Sequence, residues 1–335
     1  MKYSIILPVR NGGHYVKACV DSILSQTLVD FNFIILDNCS TDGTLEWVQS
    51  LQDDRIKIIP SGNPLTIEEN WGRIKDISKN EFITLIGHDD LLYPDFLENI
   101  NRLVEQYPDA SLYHTHFNFI DAAGKVIRNS KPMKSLITAN DLLKGFLTQT
   151  IDSMGTGYVM RAKDYDAVGG IPVKYPNLLF ADFELWLNIA VKGNVAIAVA
   201  SNISFAFRVH KSTTGTSQDY KLHKALELYV DFLMELKNND KEKEVLILAH
   251  ANELLLFYCK GFCHRLLRTP HNNREGITVD KFINETKQLA KKLEIEKTYH
   301  PESAPLIRLA KLIDNNKILS DLFLLLKKVY PKPLM

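Results

Sequence analysis

The sequence predicts an α/β protein with a mostly parallel central sheet, helices on both faces of that sheet, and a helical C-terminal region. Through the first half of the chain, short continuous apolar runs alternate with segments in which apolar residues follow helical spacing. After about Thr216 the strand patterns end and only helical patterns follow. We therefore place a boundary near Ser217, with an α/β domain over residues 1–217 and a helical region over residues 218–335.

The predicted strands of the first half are apolar runs without alternation, which is typical of strands buried on both faces. They cover residues 4–7, 31–36, 55–59 and 81–86. Helical spacing of apolar residues predicts helices over residues 16–24, from 44 onwards, over 67–78 and over 94–104. Pro94 suits the first turn of the last of these helices. The repeated strand–helix order favours parallel pairing of the strands.

The patterns are mixed between Leu112 and His210. Strands are predicted over residues 112–120, 157–161, 195–199 and 204–209, and helices over residues 139–147 and 183–192. The helical region is predicted to contain helices over residues 222–236, 245–267, 279–293 and 318–329.

The composition excludes several classes of protein. Forty Lys and Arg residues balance forty Asp and Glu residues, whereas a protein that coats nucleic acid should be visibly basic. Four cysteines in 335 residues do not form a disulfide framework. The N-terminal apolar run stops at Pro8 and Arg10, too soon for a signal peptide, and we find no run of the roughly 20 apolar residues that span a bilayer. The expected location is cytoplasmic, in solution or peripheral at the inner face of the membrane.

Acidic residues follow two of the predicted strands. Asp37 and Asp42 come after the second strand, and Asp89 and Asp90 come after the fourth. Because ligands of open parallel sheets bind at the carboxyl ends of the strands, these carboxylates are expected to meet at one edge and to hold Mg²⁺ or Mn²⁺. The sequence contains no glycine-rich phosphate loop, so a metal would be the main neutraliser of bound phosphates. This chemistry suits a nucleoside diphosphate leaving group.

Six motifs also resemble, in their order, those of the family 2 inverting GT-A glycosyltransferases. The motifs are SIILPVRN, DNCSTDGT, ENWGR before EFITLIGHDDLLYPDFL, FADFELWL and FRVHKSTTG, and the resemblance covers roughly residues 3–215. It implies a Rossmann-like GT-A fold and an enzyme that transfers a sugar, with inversion, from a nucleoside-diphosphate sugar to an acceptor hydroxyl. A UDP-sugar is the implied donor, and a glycan or lipid-linked molecule in surface polysaccharide biosynthesis is the implied acceptor.

The resemblance implies a nucleotide site. Asp37 matches the aspartate that binds the base, and such a carboxylate can accept the imide N–H of uracil. Asn70 falls in the motif that lies beside the nucleotide. The complete implied set is Pro8, Arg10, Asn11, Asp37, Asn70 and Asp89.

The resemblance also implies a metal and diphosphate site. Asp89 and Asp90 match a DXD-like motif, but Gly87 replaces its first aspartate, which leaves open which of the two carboxylates holds the metal. His210 is the third implied metal ligand. Arg208 and the loop residue Lys211 are implied to contact the diphosphate.

Asp182 matches the general base of the family, and Glu184 is the reserve candidate. An N-cap role for Asp182 is compatible with catalysis. Ala181 stands where the family often has an acid, which keeps open a non-catalytic relative that binds a sugar nucleotide or a glycan. A sugar nucleotidyltransferase is a second alternative, although the segment after the first strand lacks the lysine expected of one.

The end of the chain combines apolar residues with lysines. Ordinary helix packing is one interpretation of this pattern, and peripheral membrane contact or a homodimer through the helical region are the others. The residues concerned are Leu319, Leu322, Phe323, Leu325, Leu326, Lys327, Lys328 and Lys332.

Overall fold

The structure, a computed structural model, describes residues 1–209, 219–274 and 276–329. The chain divides into two compact units. The first comprises residues 1–142 and 151–214, and the second comprises residues 143–150 and 215–335. Each unit is described by itself.

The first unit contains a large sheet. Its strands are β1 Tyr3–Val9, β2 Phe31–Asp37, β3 Ile56–Ile58, β4 Phe82–Leu85, β5 Leu91–Leu92, β6 Ala110–Ile120, β7 Val126–Asn129, β8 Leu136–Ile137, β9 Val159–Arg161 and β10 Val195–Arg208. The helices of this part of the chain are α1 Tyr15–Leu24, α2 Thr44–Gln49, α3 Ile67–Gly72, α4 Phe96–Gln106, α5 Ala139–Thr148, α6 Ala162–Ala167 and α7 Ala181–Ala190.

The order of the strands in the sheet is β3-β2-β1-β4-β9-β6-β10-β5, with β7 paired to β6 and β8 paired to β10. The run from β3 to β4 is parallel, and β6 and β10 are also parallel. Strand β9 joins these two parts through antiparallel pairs. The predicted α/β fold is confirmed, and the sheet is more mixed than the sequence indicated.

Some predicted elements differ in detail. The two strands predicted over residues 195–199 and 204–209 form the single strand β10, which pairs with β6 through register shifts near Ile203. The helix predicted over residues 67–78 is α3 followed by a 3₁₀ turn over Arg73–Asp76. The short strands β5, β7 and β8 were not predicted, because two to four residues are too few to show a period.

The core of the first unit follows from its apolar runs. All seven residues of β1 are buried, as expected for a strand covered on both faces. Helix α1 buries Val16, Cys19, Val20 and Ile23, which recur at helical spacing along one face. This packing fixes the carboxyl ends of β1, β2 and β4 at one edge of the sheet.

The second unit is helical in its described residues. Its helices after α5 are α8 Asp219–Asn239, α9 Lys241–Leu267, α10 Val279–Lys292, α11 Pro305–Asp314 and α12 Lys317–Val329. Asp240 caps α9 by accepting the backbone N–H groups of Glu242 and Lys243. The core lies between α9, α10 and α11 and includes Cys259, Phe282 and Ile307.

Helix α9 bears on the expectation that no segment is apolar enough over a sufficient length to span a bilayer. With 27 residues, it is the one described helix long and apolar enough, by length and composition alone, to cross a membrane. A helix was predicted over residues 245–267, but Glu253 and Lys260 interrupt its apolar run, so no span was predicted there. The helix buries a stripe of residues in the core of the second unit, and core helices also meet this criterion.

Candidate functional site

The loops that follow β1 and β2 are bound to each other. The amide N–H of Thr41 donates to Asn11 Oδ1 at 2.8 Å, and that of Asn11 donates to Ser40 Oγ at 2.9 Å. The amide N–H of Gly13 donates to Asp42 Oδ2 at 2.9 Å. Asn11 and Asp42 therefore hold the two loops together at the sheet edge where ligands of such folds bind.

Asp37 is the last residue of β2 and lies opposite Val9 of β1. It is completely buried, and its Oδ2 accepts the backbone N–H of Ser40 at 3.2 Å. Its Oδ1 has no hydrogen-bond partner among the residues that the structure describes. A buried acceptor without a donor costs free energy, so an N–H group of a ligand would be stabilising there. Such a donor reaches Oδ1 only if the covering side chains move.

Asn70 lies beside Asp37 through Arg73. The Arg73 Nη1 group donates to Asn70 Oδ1 at 3.0 Å and to the carbonyl of Asp37 at 3.1 Å, and Nη2 donates to the carbonyl of Ile59. Burial lowers the pKa of Arg73, and the nearby Asp37 opposes that shift. The structure thus brings two predicted nucleotide residues together around an arginine that the sequence analysis did not single out.

Asp90 is a buried carboxylate held by two donors. The Thr156 hydroxyl donates to Asp90 Oδ2 at 2.7 Å, and the backbone N–H of Arg208 donates to Oδ1 at 3.0 Å. Burial, together with the adjacent Asp89, raises the pKa of Asp90 well above its usual range. Both oxygens of Asp90 already accept hydrogen bonds, so this buried side chain has a structural role beneath the partly exposed Asp89.

Asp89 is partly exposed and lies against Gly87. A Cβ atom at position 87 would be 2.7 Å from Asp89 Oδ1 and 3.3 Å from Asp90 Oδ2. The carboxylates of the acidic pair therefore occupy the space that a side chain at position 87 would need. Gly87 and the acidic pair fit each other, which gives a physical reason for the shortened motif.

The guanidinium group of Arg208 is anchored by backbone carbonyls. Its Nε donates to the carbonyl of Asp89 at 2.7 Å, and its Nη1 donates to those of Asp121 and Ala122 at 3.0 and 3.3 Å. The guanidinium carbon also lies 4.8 Å from the ring centre of Tyr15. Arg208 thus brings positive charge beside the acidic pair.

Asp182 lies in the first turn of α7, directly after Phe180 and Ala181. Phe180 has a left-handed backbone with φ of 70°, and this turn sets the start of the helix. Burial raises the pKa of Asp182 to about 6, while backbone N–H groups of the first turn oppose the shift. The residue keeps some exposure to solvent. A carboxylate with this pKa is ionised at neutral pH and can accept a proton.

One loop, residues 153–157, links Asp90 and Asp182. Thr156 donates to Asp90, and the adjacent Gly155 lies beside Asp182, since a Cβ on Gly155 would be 3.7 Å from Asp182 Cβ. The indole N–H of Trp186, one turn further along α7, donates to the carbonyl of Met154 at 3.0 Å. The two predicted acidic groups are therefore neighbours across this loop.

Glu184 is placed differently. Lys174 Nζ lies 2.9 Å from its Oε1 and 2.8 Å from its Oε2, and the Tyr175 hydroxyl donates to Oε2 at 2.5 Å. The residue is buried. Both oxygens of Glu184 are thus engaged by the segment before α7, so Asp182 is the better-placed of the two candidate bases.

The remaining predicted residues of the described chain lie at the end of β1 and in the loop that follows it. Pro8 is buried within β1 and so lies below the edge, whereas Arg10 and Asn11 are exposed on the loop that follows. Arg10 Nη1 is 3.4 Å from the carbonyl of Leu65. His210 and Lys211 lie outside the described residues.

The described part of the chain contains no group of three or more His, Cys, Asp or Glu side chains arranged to hold a metal ion. A cavity of about 470 Å³ between α4 and the irregular part of β10, lined in part by His116 and Met133, contains none of the predicted site residues. The carboxylates at the sheet edge remain the candidate site.

Comparison with known proteins identifies the first unit. Residues 4–168 match the family model described as glycosyl transferase family 2. The chain carries a domain of this family. The enzyme class predicted from the motifs is thereby confirmed at the level of the family. The matched segment contains Asp37, Asn70 and the acidic pair Asp89–Asp90, whereas Asp182 lies beyond its end.

Two relatives illustrate the extent of similarity. The chain is 24% identical over 231 residues to UDP-Glc:alpha-D-GlcNAc-diphosphoundecaprenol beta-1,3-glucosyltransferase WfgD of Escherichia coli, covering 69% of this chain and 86% of WfgD. It is 28% identical over 195 residues to an uncharacterized glycosyltransferase of Rickettsia felis, covering 56% of this chain. The chain spans only 31% of the length of the Rickettsia protein.

Solved structures share the fold along nearly the whole chain. Residues 1–349 of Staphylococcus aureus TarS in complex with UDP-GlcNAc align with a TM-score of 0.63 at 15% identity, covering 98% of this chain and 91% of that chain. The mannosyltransferase PcManGT of Pyrobaculum calidifontis in complex with GDP-Man and Mn²⁺ aligns with a TM-score of 0.53 at 13% identity, covering 98% and 88%. The GT-A fold with a helical C-terminal region is thus confirmed.

Three residues of the site were not identified from the sequence: Arg73, Thr156 and Trp186. Each acts through a contact distant in sequence, such as the 66 residues between Asp90 and Thr156. Arg73 and Trp186 lie within the motifs ENWGR and FADFELWL, but neither motif reveals which residues they contact. Only the order of strands in the sheet brings the loop to the acidic pair.

Proposed function

We propose that the family 2 domain transfers a sugar from a UDP-sugar to an acceptor hydroxyl with inversion at the anomeric carbon. The observation that carries the proposal is the loop over residues 153–157, which contacts both Asp90 and Asp182. A nucleotide-side carboxylate and a basic carboxylate on opposite sides of one loop suit an acceptor hydroxyl that attacks opposite the leaving diphosphate.

For the base of the nucleotide, Asp37 offers a buried acceptor. Its unpaired Oδ1 suits the imide N–H of uracil, and Asn70 and Arg73 support the surrounding backbone. These contacts favour UDP over nucleotides whose bases present an acceptor at the same position.

A divalent metal, Mn²⁺ or Mg²⁺, fits the residues present. Asp89 is partly exposed and lies beside the buried Asp90. Such cations are commonly held by one or two carboxylates together with substrate phosphates. Asp89 is the proposed ligand, with Asp90 positioned behind it and His210 as a further candidate. When bound, the cation supplies charge stabilisation for the departing diphosphate.

The side chains perform the remaining chemistry. Asp182 accepts the proton of the acceptor hydroxyl, which raises the nucleophilicity of that oxygen as it attacks the sugar. The fixed position of α7 against Met154 keeps the carboxylate oriented. Arg208 adds positive charge near the acidic pair and reduces its self-repulsion.

We propose a lipid-linked or glycan acceptor used in surface polysaccharide synthesis on the cytoplasmic side of the membrane. The name of the relative WfgD specifies a diphosphoundecaprenol-linked acceptor, which supports a substrate of this class. The exposed side of Asp182 gives such an acceptor access.

A thermal-shift screen of nucleoside diphosphates and triphosphates, with and without Mn²⁺, tests the proposal. UDP with Mn²⁺ should raise the Tm by at least about 3 °C, because a ligand that binds only the folded state stabilises it by mass action. Stabilisation by UTP alone, with release of pyrophosphate, would favour a nucleotidyltransferase. UDP-sugar binding without hydrolysis or transfer would favour a non-catalytic relative.

A further inference from the structure

Helix α12 exposes an apolar stripe to solvent. Ile318 is 78% exposed, Leu322 50%, Leu325 59% and Leu326 49%. Their spacing of four, three and one residues puts all four on one side of the helix. Single exposed leucines are ordinary, but a contiguous stripe on one helix marks an interaction surface.

The surface extends beyond α12 within the second unit. An apolar groove of about 470 Å³ is lined by Phe257 of α9, Leu306 and Leu309 of α11, and Phe323 of α12. Phe257, Leu306 and Leu309 are each at least half exposed. The apolar face is therefore defined as this groove and the stripe on α12.

The two helices that carry most of the apolar face have more basic than acidic residues. Helices α11 and α12 carry five Lys and Arg residues and two Asp residues, namely Arg308, Lys311, Lys317, Lys327, Lys328, Asp314 and Asp321. Lys311 pairs with Asp280, and Asp314 pairs with the buried Arg274. Four basic groups then remain against one acid. In the described part of the chain, neither Lys317 nor Lys328 forms an ion pair.

We propose that the apolar face docks on the surface of an anionic lipid bilayer. An amphipathic helix with leucines on one side and lysines beside them lies in the headgroup region, where the apolar side is buried and the ammonium groups meet lipid phosphates. Lys317 and Lys328 fall at neighbouring positions of the helical wheel, on a flank of the stripe that also carries Asp321. Their side chains are longer than that of Asp321, so the ammonium groups can reach past it to the headgroups.

A second copy of the chain fits this face less well. A two-fold interface places the same patch of each copy against the other, so the lysines of α12 would approach one another. Asp321 is the one acidic residue of α12 available to offset them. Anionic headgroups supply the missing complementary charge. The inference does not depend on the donor or acceptor proposed above.

Vesicle co-sedimentation of the full 335-residue chain tests the inference. The chain should bind phosphatidylcholine vesicles containing about 30% phosphatidylglycerol, should bind pure phosphatidylcholine vesicles much less, and should lose binding as salt is raised. L322Q/L326Q removes two exposed leucines and should weaken the partition constant by at least about tenfold. K317E/K328E should abolish the preference for anionic vesicles.

The matched control is V29Q/V173Q, which replaces two exposed valines of the first unit and should bind vesicles like the unaltered chain. Circular dichroism verifies that each variant keeps its helices. If L322Q/L326Q loses helical content, K317E/K328E decides the question, because it alters exposed charge alone. The inference is overturned if the unaltered chain does not bind anionic vesicles. A dimer that the L322Q/L326Q substitutions dissociate, in the absence of vesicle binding, would show that a second copy occupies the face.

Discussion

At the scale of single residues, Asp182 determines a pH dependence. Its pKa is raised to about 6 by burial, and backbone N–H groups of the first turn of α7 oppose the shift. Transfer should fall as the pH drops through 6, because the protonated carboxyl cannot accept a proton. D182N should lower kcat by at least about a hundredfold, in line with the loss of a general base, while D21N, an exposed control, should not.

The raised pKa of Asp182 also makes the stability of the folded chain depend on pH. A carboxyl whose pKa is raised on folding favours the protonated native state, so its contribution to stability is lost as the pH rises from the unfolded value of 3.8 through about 6. D182N should therefore have a higher Tm than the unaltered chain at pH 7.5, with a smaller difference at pH 5. Equal melting temperatures at both values would show that the carboxylate is well solvated.

Asp37 gives a prediction on base selectivity. In D37N the carboxylate oxygen can be replaced by an amide NH₂, which donates where the carboxylate accepts. UDP binding should weaken by about tenfold or more, whereas CDP, which presents a ring acceptor at the corresponding position, should weaken less. Isothermal calorimetry with both nucleotides measures the ratio. Equal losses for the two would place the base away from Asp37.

At the scale of elements, the loop over residues 153–157 depends on one hydroxyl. T156V keeps the shape of the side chain and removes the donor to Asp90, leaving a buried carboxylate oxygen unpaired. We expect a loss of about 1–3 kcal/mol in unfolding free energy and a fall in kcat/KM. T156S retains the hydroxyl and is the control. Indistinguishable urea unfolding of the two variants would contradict the role assigned to this contact.

A buried ion pair joins the segment before α10 to the end of α11. Arg274 and Asp314 are both buried, and Asp314 Oδ2 also accepts the N–H of Val279 at 2.8 Å, at the first turn of α10. D314A leaves the guanidinium buried without its partner and should cost about 3–5 kcal/mol. Denaturant unfolding followed by circular dichroism measures this loss. D321A, at an exposed position of α12, should cost less than about 0.5 kcal/mol.

At the scale of the whole molecule, the elements with a strong period were predictable. The continuous apolar runs of β1 and β2 predict buried strands, and the change to helical spacing after about Thr216 predicts the helical region. The strand predicted over residues 157–161 contains β9, but its antiparallel insertion between β4 and β6 was not predictable, because its partners are distant in sequence.

The candidate site was also predictable only in part. The motifs predicted Asp37, Asp90 and Asp182, because each stands next to a strand or helix end that the sequence reveals. The contacts that decide which carboxylate is free to act are tertiary. Lys174 and Tyr175 engage Glu184, and no spacing in the sequence distinguishes that glutamate from Asp182 two residues earlier.

Gly155 and Thr156 are consecutive residues, yet Gly155 lies beside Asp182 and Thr156 donates a hydrogen bond to Asp90. A backbone shift that makes room for a bulkier acceptor beside Gly155 also displaces the hydroxyl that holds Asp90. Substitutions that change acceptor selectivity should therefore also affect use of the donor. Directed evolution toward a new acceptor should first yield variants with lower activity. Compensating second mutations would be recovered at positions that anchor this segment, Trp186 foremost among them.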